Sequence, residues 1–445
     1  MIRRLGRGGG TTVPGRLTAW IEPAALARLG RGLPGGSIVV TATNGKTTTA
    51  RLIAQVFGAA GRRIVHNRSG ANLLGGVTSA LVRAAGPSGR TAGDVGLFEV
   101  DEASVPEVAA ALEPRVLAIG NLFRDQLDRY GEVAYLAGQW RRAVERLSPD
   151  STLVLNADDP GVSALAAAAP GRVLFVGIED RSRAGPEPEH TADARLCPRC
   201  AGRLEYEAVF YGHLGHYRCP ACAFARPRPD LAALAIEPRG FDGSLVRLRH
   251  GDDEEELLLP LPGLYNVYNA LLALGAAAAS GVELGAAARA IERSGGAFGR
   301  IERIPVRDRT VLMALVKNPV GFDQVLRTVL DAAERPDLLI AINDLLADGT
   351  DVSWLWDVEF EALVGRAGSI TLSGTRAGDM GVRLKYAGVD PAFVRVEATR
   401  ARALDVALEQ VESGGTLYVL PTYTAMLELR GALARRGHVP PFWED

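Results

Sequence analysis

Thr41-Ala42-Thr43-Asn44-Gly45-Lys46-Thr47-Thr48 decides the reading of this chain. The residues before it, Ser37–Thr41, form a short apolar β-branched run (SIVVT) that predicts a strand. Those after it predict a helix from Lys46 to about Ala59. A Gly-Lys-Thr turn between a strand and a helix is the setting of a phosphate-binding loop. Backbone N–H groups and the helix N-terminus cradle a triphosphate there. The spacing assigns Thr43, Asn44, Gly45, Lys46, Thr47 and Thr48 to ATP. Lys46 would reach the β- and γ-phosphates, and the Thr47 hydroxyl would bind Mg²⁺. The general pattern has a glycine five residues before Gly45, and Val40 stands there instead. The alternative is an ordinary strand-to-helix turn. Against it, only Lys46, Lys317 and Lys385 of the 50 basic residues are lysines. A lysine in that slot breaks the chain's preference for arginine.

Outward from the loop, apolar runs at 63–66, 95–100, 116–119, 152–155 and 172–176 alternate with helical stretches such as 133–147. Short continuous strands of this kind predict a parallel, doubly wound α/β sheet. Residues 1–36 form a short segment rich in Gly, Arg and Pro, with one helix expected around 23–29. The stretch 192–228 breaks the rhythm and carries all four cysteines. Strand-like sequence at 245–249 and 256–261 and an Ala-rich helix follow. A composition boundary near 300–309 opens a second alternation: 310–316, a helix at 321–333, then 337–342, 369–373, 393–396 and 416–420. Three parts are expected: 1–36, a central ATP-binding domain over 37–305 with an insertion at 192–228, and a C-terminal α/β domain over 306–445.

The 445 residues, 47% apolar and 23% charged, have the balance of a globular enzyme of about three domains. Collagen, coiled coil, disulfide miniprotein and disordered polymer are excluded. A net charge of −2 gives no bulk electrostatic case for nucleic acid or an anionic membrane. The basic N-terminus has no apolar run behind it, so no secretory signal is read. Residues 269–285 are mostly Ala and Gly, interrupted by Glu283, and predict a buried helix rather than a span. The expected compartment is the cytoplasm.

Cys197, Cys200, Cys219 and Cys222 form C-x2-C-x18-C-x2-C, the spacing of two knuckles closing a tetrahedral structural Zn²⁺ site. Two disulfides are the alternative, disfavoured in a cytoplasmic chain. A catalytic zinc is disfavoured because protein ligands fill all four positions. His213 and His216, between the knuckles, read as exposed loop histidines, with spare ligands as the other possibility. Four engaged cysteines leave no thiol nucleophile for a glutaminase of the usual Cys–His class, so this chain cannot release ammonia from glutamine that way. Asp344, Asp348, Asp351 and Asp357 fall within 14 residues. They read either as a solvated loop with a helix cap at Asp351 or Ser353, or, given Trp354 and Trp356, as a contact surface.

The form T-x-T-N-G-K-T-T resembles the Mur ligase family, ATP-dependent amide-bond ligases of peptidoglycan synthesis, and its folylpolyglutamate synthase relatives. Four further marks occur in the family's order. The run 98–103 ends a predicted strand with carboxylates, and Glu99 matches the magnesium-binding Glu. Residues 156–160 resemble the N-A-D-D-P turn. Residues 263–269 resemble G-x-x-N-x-x-N, whose first Asn, here Asn266, contacts the nucleotide. Residues 298–302 resemble F-x-G-R-x-E, with Arg300 toward the nucleotide or γ-phosphate.

Departures narrow the resemblance. In 121–129 Gln126 replaces the His that helps hold a second metal. No lysine between Lys46 and Lys317 can be carbamylated to support one. Thirty-six residues are too few for the family's UDP-sugar domain. Lys317-Asn318-Pro319 stands for H-N-P. The run 342–357 is absent from the amino-acid-adding members. Together with D-Q-L-D-R-Y and the four cysteines, these features resemble the branch that supplies the ligase subunit of lipid II isoglutaminyl synthase. The resemblance implies ATP-dependent amidation of D-glutamate in lipid II, with ammonia from a GatD-like glutaminase partner in a heterodimer. It also implies that one Asp of the run orients the partner's catalytic His. Asp348 and Asp351 are favoured over Asp344, and the sequence does not rank those two. A ligase joining a whole amino acid, and a zinc-bearing NTPase acting on nucleic acid, are the rival readings.

Overall fold

The structure, a computed structural model, describes residues 13–67, 71–86, 89–123, 133–185, 194–293 and 301–440. It divides into two compact units, Met1–Gly295 and Gly296–Asp445. In the first, the strands are β1 (Ser37–Thr41), β2 (Ile64–His66), β3 (Val95–Glu99), β4 (Val116–Ile119), β5 (Thr152–Asn156), β6 (Arg172–Ile178), β7 (Glu205–Tyr211), β8 (Leu214–Arg218), β9 (Leu231–Pro238), β10 (Ser244–His250) and β11 (Asp253–Leu259). Nine of them make one sheet, ordered β11-β10-β9-β6-β5-β4-β1-β3-β2. Neighbours from β2 to β9 run parallel, and β9, β10 and β11 continue as an antiparallel meander. The strands β1, β3, β4 and β5 are buried along their whole length. Burial on both faces explains why they read as unbroken apolar runs.

From β1 the chain builds β2 and β3 on one side of it and then crosses to β4 on the other. β1 is therefore the switch point of the sheet, where a crevice opens outside the carboxyl ends of the strands. Register sets what meets there: Val40 lies opposite Glu99, and Thr41 opposite Ile119.

The N-terminal segment holds two helices, Val13–Ile21 and Ala25–Arg31, where one was expected. Pro14 and Gly15 look like helix breakers. Pro14 sits in the first turn, where its missing N–H costs nothing. Gly15 lets the helix Leu74–Ala84 approach closely: its N–H donates to Ser79 Oγ at 2.7 Å, and a Cβ there would lie 2.0 Å from Gly75 O.

The four-Cys insertion is built on the β7–β8 hairpin, a separate two-stranded sheet. The Ala-rich helix, Leu264–Ala279, is buried against β4, β5 and β6. Among the described residues no helix is long and apolar enough to cross a membrane.

The second unit carries β12 (Ile301–Val306), β13 (Arg309–Ala314), β14 (Asp337–Ala341), β15 (Ile370–Ser373), β16 (Val394–Val396) and β17 (Thr416–Pro421), ordered β12-β13-β17-β14-β15-β16. Only β12 and β13 pair antiparallel. β12 belongs to this sheet, so the division falls at Gly295/Gly296 and not at 305/306. Continuous chemistry hid it: the family-like element at 298–302 runs straight into a strand of the second unit.

Candidate functional site

Gly45 adopts φ +89° at the head of the helix Lys46–Ala59, a conformation glycine takes without strain. Asn269 presses on it from the side: a Cβ at Gly45 would lie 1.8 Å from Asn269 Oδ1. The loop is tied down elsewhere as well. Asn44 exchanges two hydrogen bonds with Asn121, its N–H to Oδ1 at 2.9 Å and its carbonyl from Nδ2 at 3.0 Å. The Thr43 hydroxyl donates to Phe123 O and accepts from Phe123 N. Thr48 is buried in the first helical turn. Such a fixed loop keeps its N–H groups aimed at an anion at the helix N-terminus.

Lys46 and Thr47 meet the end of β3. Thr47 Oγ1 donates to Glu99 Oε1 at 3.0 Å, so one hydroxyl and one carboxylate oxygen adjoin, the hard oxygen donors Mg²⁺ takes. Lys46 Nζ lies 2.8 Å from Glu102 Oε2 and 2.5 Å from Ala42 O. Burial alone would push the ammonium down. Glu102, with Asp101 and Glu99 behind it, outweighs burial and holds Lys46 above its usual value. Glu102 was not singled out from the sequence. Its signal was the second carboxylate cluster three residues past Glu99, with Trp140 Nε1 fixing its backbone carbonyl at 2.9 Å.

Asn266, expected to face nucleotide, spends its amide locally. It donates to Pro262 O at 2.7 Å and accepts from Asn269 at 3.0 Å. Asn269, not Asn266, is the residue that reaches Gly45 and Thr49. Arg300 and Gln126 lie outside the described residues.

The four cysteine Sγ atoms lie within 4.8 Å of one another, with Cys197–Cys222 at 3.7 Å and Cys200–Cys219 at 3.5 Å. No disulfide joins them. Tetrahedral Zn–S bonds of about 2.3 Å put sulfurs about 3.8 Å apart, so the tetrad fits zinc.

His213 and His216 are buried, not exposed loop residues, and neither joins the tetrad. Both are structural. His216 Nε2 meets Ile178 O at 2.8 Å. His213 meets Asp159 at 3.3 Å and packs on Phe123, ring centroids 4.5 Å apart. Asp159 also accepts from Leu122 N, and Phe123 holds Thr43. The ribbon's hairpin tip therefore braces the segment that braces the phosphate loop. Asp158 makes a second tie, bonding Arg226 of the ribbon and Tyr268 of the Asn266 helix.

In the second unit the acidic run follows β14. Asp344 accepts from Thr375 Oγ1 at 2.7 Å, with Arg376 at 3.5 Å. Asp348 is buried, and accepts the N–H of Thr424 at 2.7 Å and its hydroxyl at 2.5 Å, capping the helix Tyr423–Arg435. Asp351 is exposed. The Ser353 N–H at 2.8 Å and the Ser353 hydroxyl hold its carboxyl below the usual carboxylate range. Trp354 packs on Phe322, whereas Trp356 is half exposed and stands against Tyr386. Lys317 precedes Asn318, whose side chain caps the helix Pro319–Ala332.

Residues 40–197 match the Mur ligase middle domain, and residues 315–426 match the MurT ligase C-terminal domain. The lipid II isoglutaminyl synthase (glutamine-hydrolyzing) subunit MurT of Streptococcus pneumoniae is 31% identical over 439 residues, covering 98% of this chain and 94% of that protein. In fold, the chain is similar to a pseudomurein peptide ligase type C from Methanothermus fervidus, with a TM-score of 0.70 and 21% identity over 90% of this chain and 78% of that one. It is also similar to the Mycobacterium tuberculosis folylpolyglutamate synthase complexed with ADP and AMPPCP, with a TM-score of 0.64 and 18% identity over 95% and 94%. Loop, ribbon and acidic run thus lie in a chain that aligns nearly end to end with one kind of subunit, and the chain belongs to the MurT family of Mur-ligase-fold proteins.

Proposed function

We propose that this chain is the ATP-using ligase subunit of a lipid II isoglutaminyl synthase. It amidates the α-carboxyl of D-glutamate in the stem peptide of lipid II, giving D-isoglutamine, with ammonia from a GatD-like glutaminase bound as a heterodimer. The compartment is the cytoplasm, with lipid II met at the inner face of the membrane. The observation that carries this reading is the convergence of Lys46, Thr47 and Glu99 at the switch point of the first sheet.

In the proposed reaction the triphosphate lies on the N–H groups of 45–48 at the head of the helix, and Lys46 turns from Glu102 to the phosphates. The substrate carboxylate oxygen bonds the γ-phosphorus, the bond to the β-phosphate oxygen breaks, and ADP departs. Lys46 and Arg300 offset charge on the γ-phosphoryl oxygens. Ammonia attacks the acyl carbon, loses a proton, and phosphate leaves with the C–O electron pair. Thr47 and Glu99 would hold Mg²⁺, which neutralises phosphate charge when bound. The four cysteines would hold a structural Zn²⁺ and no thiol is left for glutamine hydrolysis, which supports a separate glutaminase. Asp351, an exposed acid of its run, would orient that partner's histidine.

The test is amidation of lipid II by the co-purified pair with ATP and either glutamine or ammonium. The expected result is one ADP per amide with both nitrogen sources. Joining of free amino acids but not ammonium would sink the reading.

A further inference from the structure

The near-zero net charge hides a segregation. Residues 1–93 carry 13 basic side chains against one acid, Glu22, a net of +12, so the remainder of the chain carries −14. Charge asymmetry of this size between parts of one chain signals contact with an anionic surface. Of the described residues in that segment, Arg16, Arg31, Arg62, Arg83 and Arg90 are exposed.

Among the described residues, the same segment carries an apolar face that nothing covers. The helix Val13–Ile21 packs on Leu74–Ala84 through Gly15. Away from that contact Leu17 is 55% exposed, Trp20 82% and Ile21 69%, with Arg16 beside them. Their spacing of three and four residues keeps them on one side of the helix. A water-facing helix has no reason to present Trp, Leu and Ile together. Tryptophan beside basic residues suits the interfacial zone of a bilayer, where its ring sits at headgroup level and arginine reaches phosphate. Anionic headgroups attract each nearby cation and are screened by salt.

We propose that this helix face, with the exposed arginines of the same segment, forms a docking surface for an anionic bilayer, laying the first unit against the membrane. The binding itself does not depend on the catalytic reading above. Taken with that reading, it would bring the ligase to a membrane-held substrate.

The test is co-sedimentation of the full chain, alone and with its glutaminase, with vesicles of phosphatidylcholine and of phosphatidylcholine plus phosphatidylglycerol. The chain should partition to the anionic vesicles, and raised salt should release it. The triple substitution Leu17→Ser, Trp20→Ser and Ile21→Ser should weaken partitioning about tenfold or more. Arg16→Glu, at an exposed position where folding is not at stake, should weaken it severalfold. Melting temperature and ADP binding should be unchanged in that variant. Ammonium-driven amidation of a water-soluble stem-peptide substrate reports the ligase site separately, so its loss would count against the catalytic reading alone. Equal partitioning of parent and variants, or none to anionic vesicles, would overturn the docking surface. So would loss of glutaminase binding or of self-association in the triple variant, which would give the face to a protein. Binding of an oligonucleotide as tight as that of the vesicles would give the basic segment to nucleic acid.

Discussion

Past β1 and β3 the carboxylates face side-chain partners that a ligand can take over: Glu102 holds the Lys46 ammonium and Glu99 the Thr47 hydroxyl. Past β14 they are held by the fold itself: Asp344 by the Thr375 hydroxyl with Arg376 at 3.5 Å, Asp348 by two bonds from Thr424, and Asp351 by the Ser353 N–H. Both regions are acidic runs after a parallel strand. The first keeps an exchangeable charge pair in a crevice, so a phosphate can replace Glu102 on Lys46. The second spends its one buried acid, Asp348, on shape and leaves Asp351 and Asp357 exposed. A run of acids therefore says little until the partner of each is known.

The largest expected effect tests the second region. Asp351→Asn should reduce glutamine-dependent amidation by up to about 10⁴-fold, the loss seen when the orienter of a catalytic histidine is removed. Amidation from high ammonium should persist. Equal loss with both nitrogen sources would put Asp351 in the ligase site or the fold, and the contrast would collapse.

Next, Lys46→Ala should lower amidation from either nitrogen source by about 10²–10³-fold, the usual cost of one preorganised charge-stabilising group. Glutaminase binding should be kept. Near-normal turnover in that variant would remove the phosphate assignment.

Asp348→Ala should act on stability: leaving the Thr424 N–H without its acceptor costs about 1–3 kcal/mol, read as a lower melting temperature. If it abolishes glutamine-dependent turnover with no change in melting, Asp348 is the orienting carboxylate and Asp351 the structural one.

The smallest effect concerns the ribbon. His213→Ala removes the ring that packs on Phe123 and should weaken ADP binding about tenfold, within the range of coupled sites, while His213→Phe keeps it. Unchanged ADP affinity in His213→Ala, measured by calorimetry, would make the ribbon a passive insertion.

Much of the fold was legible because local and global signals agreed. β1 and the helix Lys46–Ala59 were read to the residue: an unbroken apolar run marks a strand buried on both faces, and Gly45 marks the turn. β7, β8 and β9 escaped. The hairpin is short and packs by aromatic and histidine contacts that carry no clean period, and β9 reads as a generic apolar run. The helix Val13–Ile21 was hidden by Pro14 and Gly15, whose purpose is a helix–helix contact 64 residues away in sequence. In the site, Lys46 and Thr47 followed from spacing, and Glu99 from the family resemblance. Glu102, Asn269 and Phe123 did not, because each acts through a neighbour brought close only by the sheet. Spacing gave the four-cysteine cluster, while the burial of His213 and His216 depends on how the hairpin folds back.

The bond between Asp348 and Thr424 has a kinetic side. It fastens the loop carrying Leu346, 92% exposed, and Asp351 to the head of a neighbouring helix. In the proposed complex, a segment fastened in this way would meet the partner already in shape. Little conformational freedom is then lost at the moment of docking, and encounter is limited by diffusion and orientation, at roughly 10⁵–10⁷ M⁻¹s⁻¹. The strength of the complex would then be written mainly in how slowly the two subunits part.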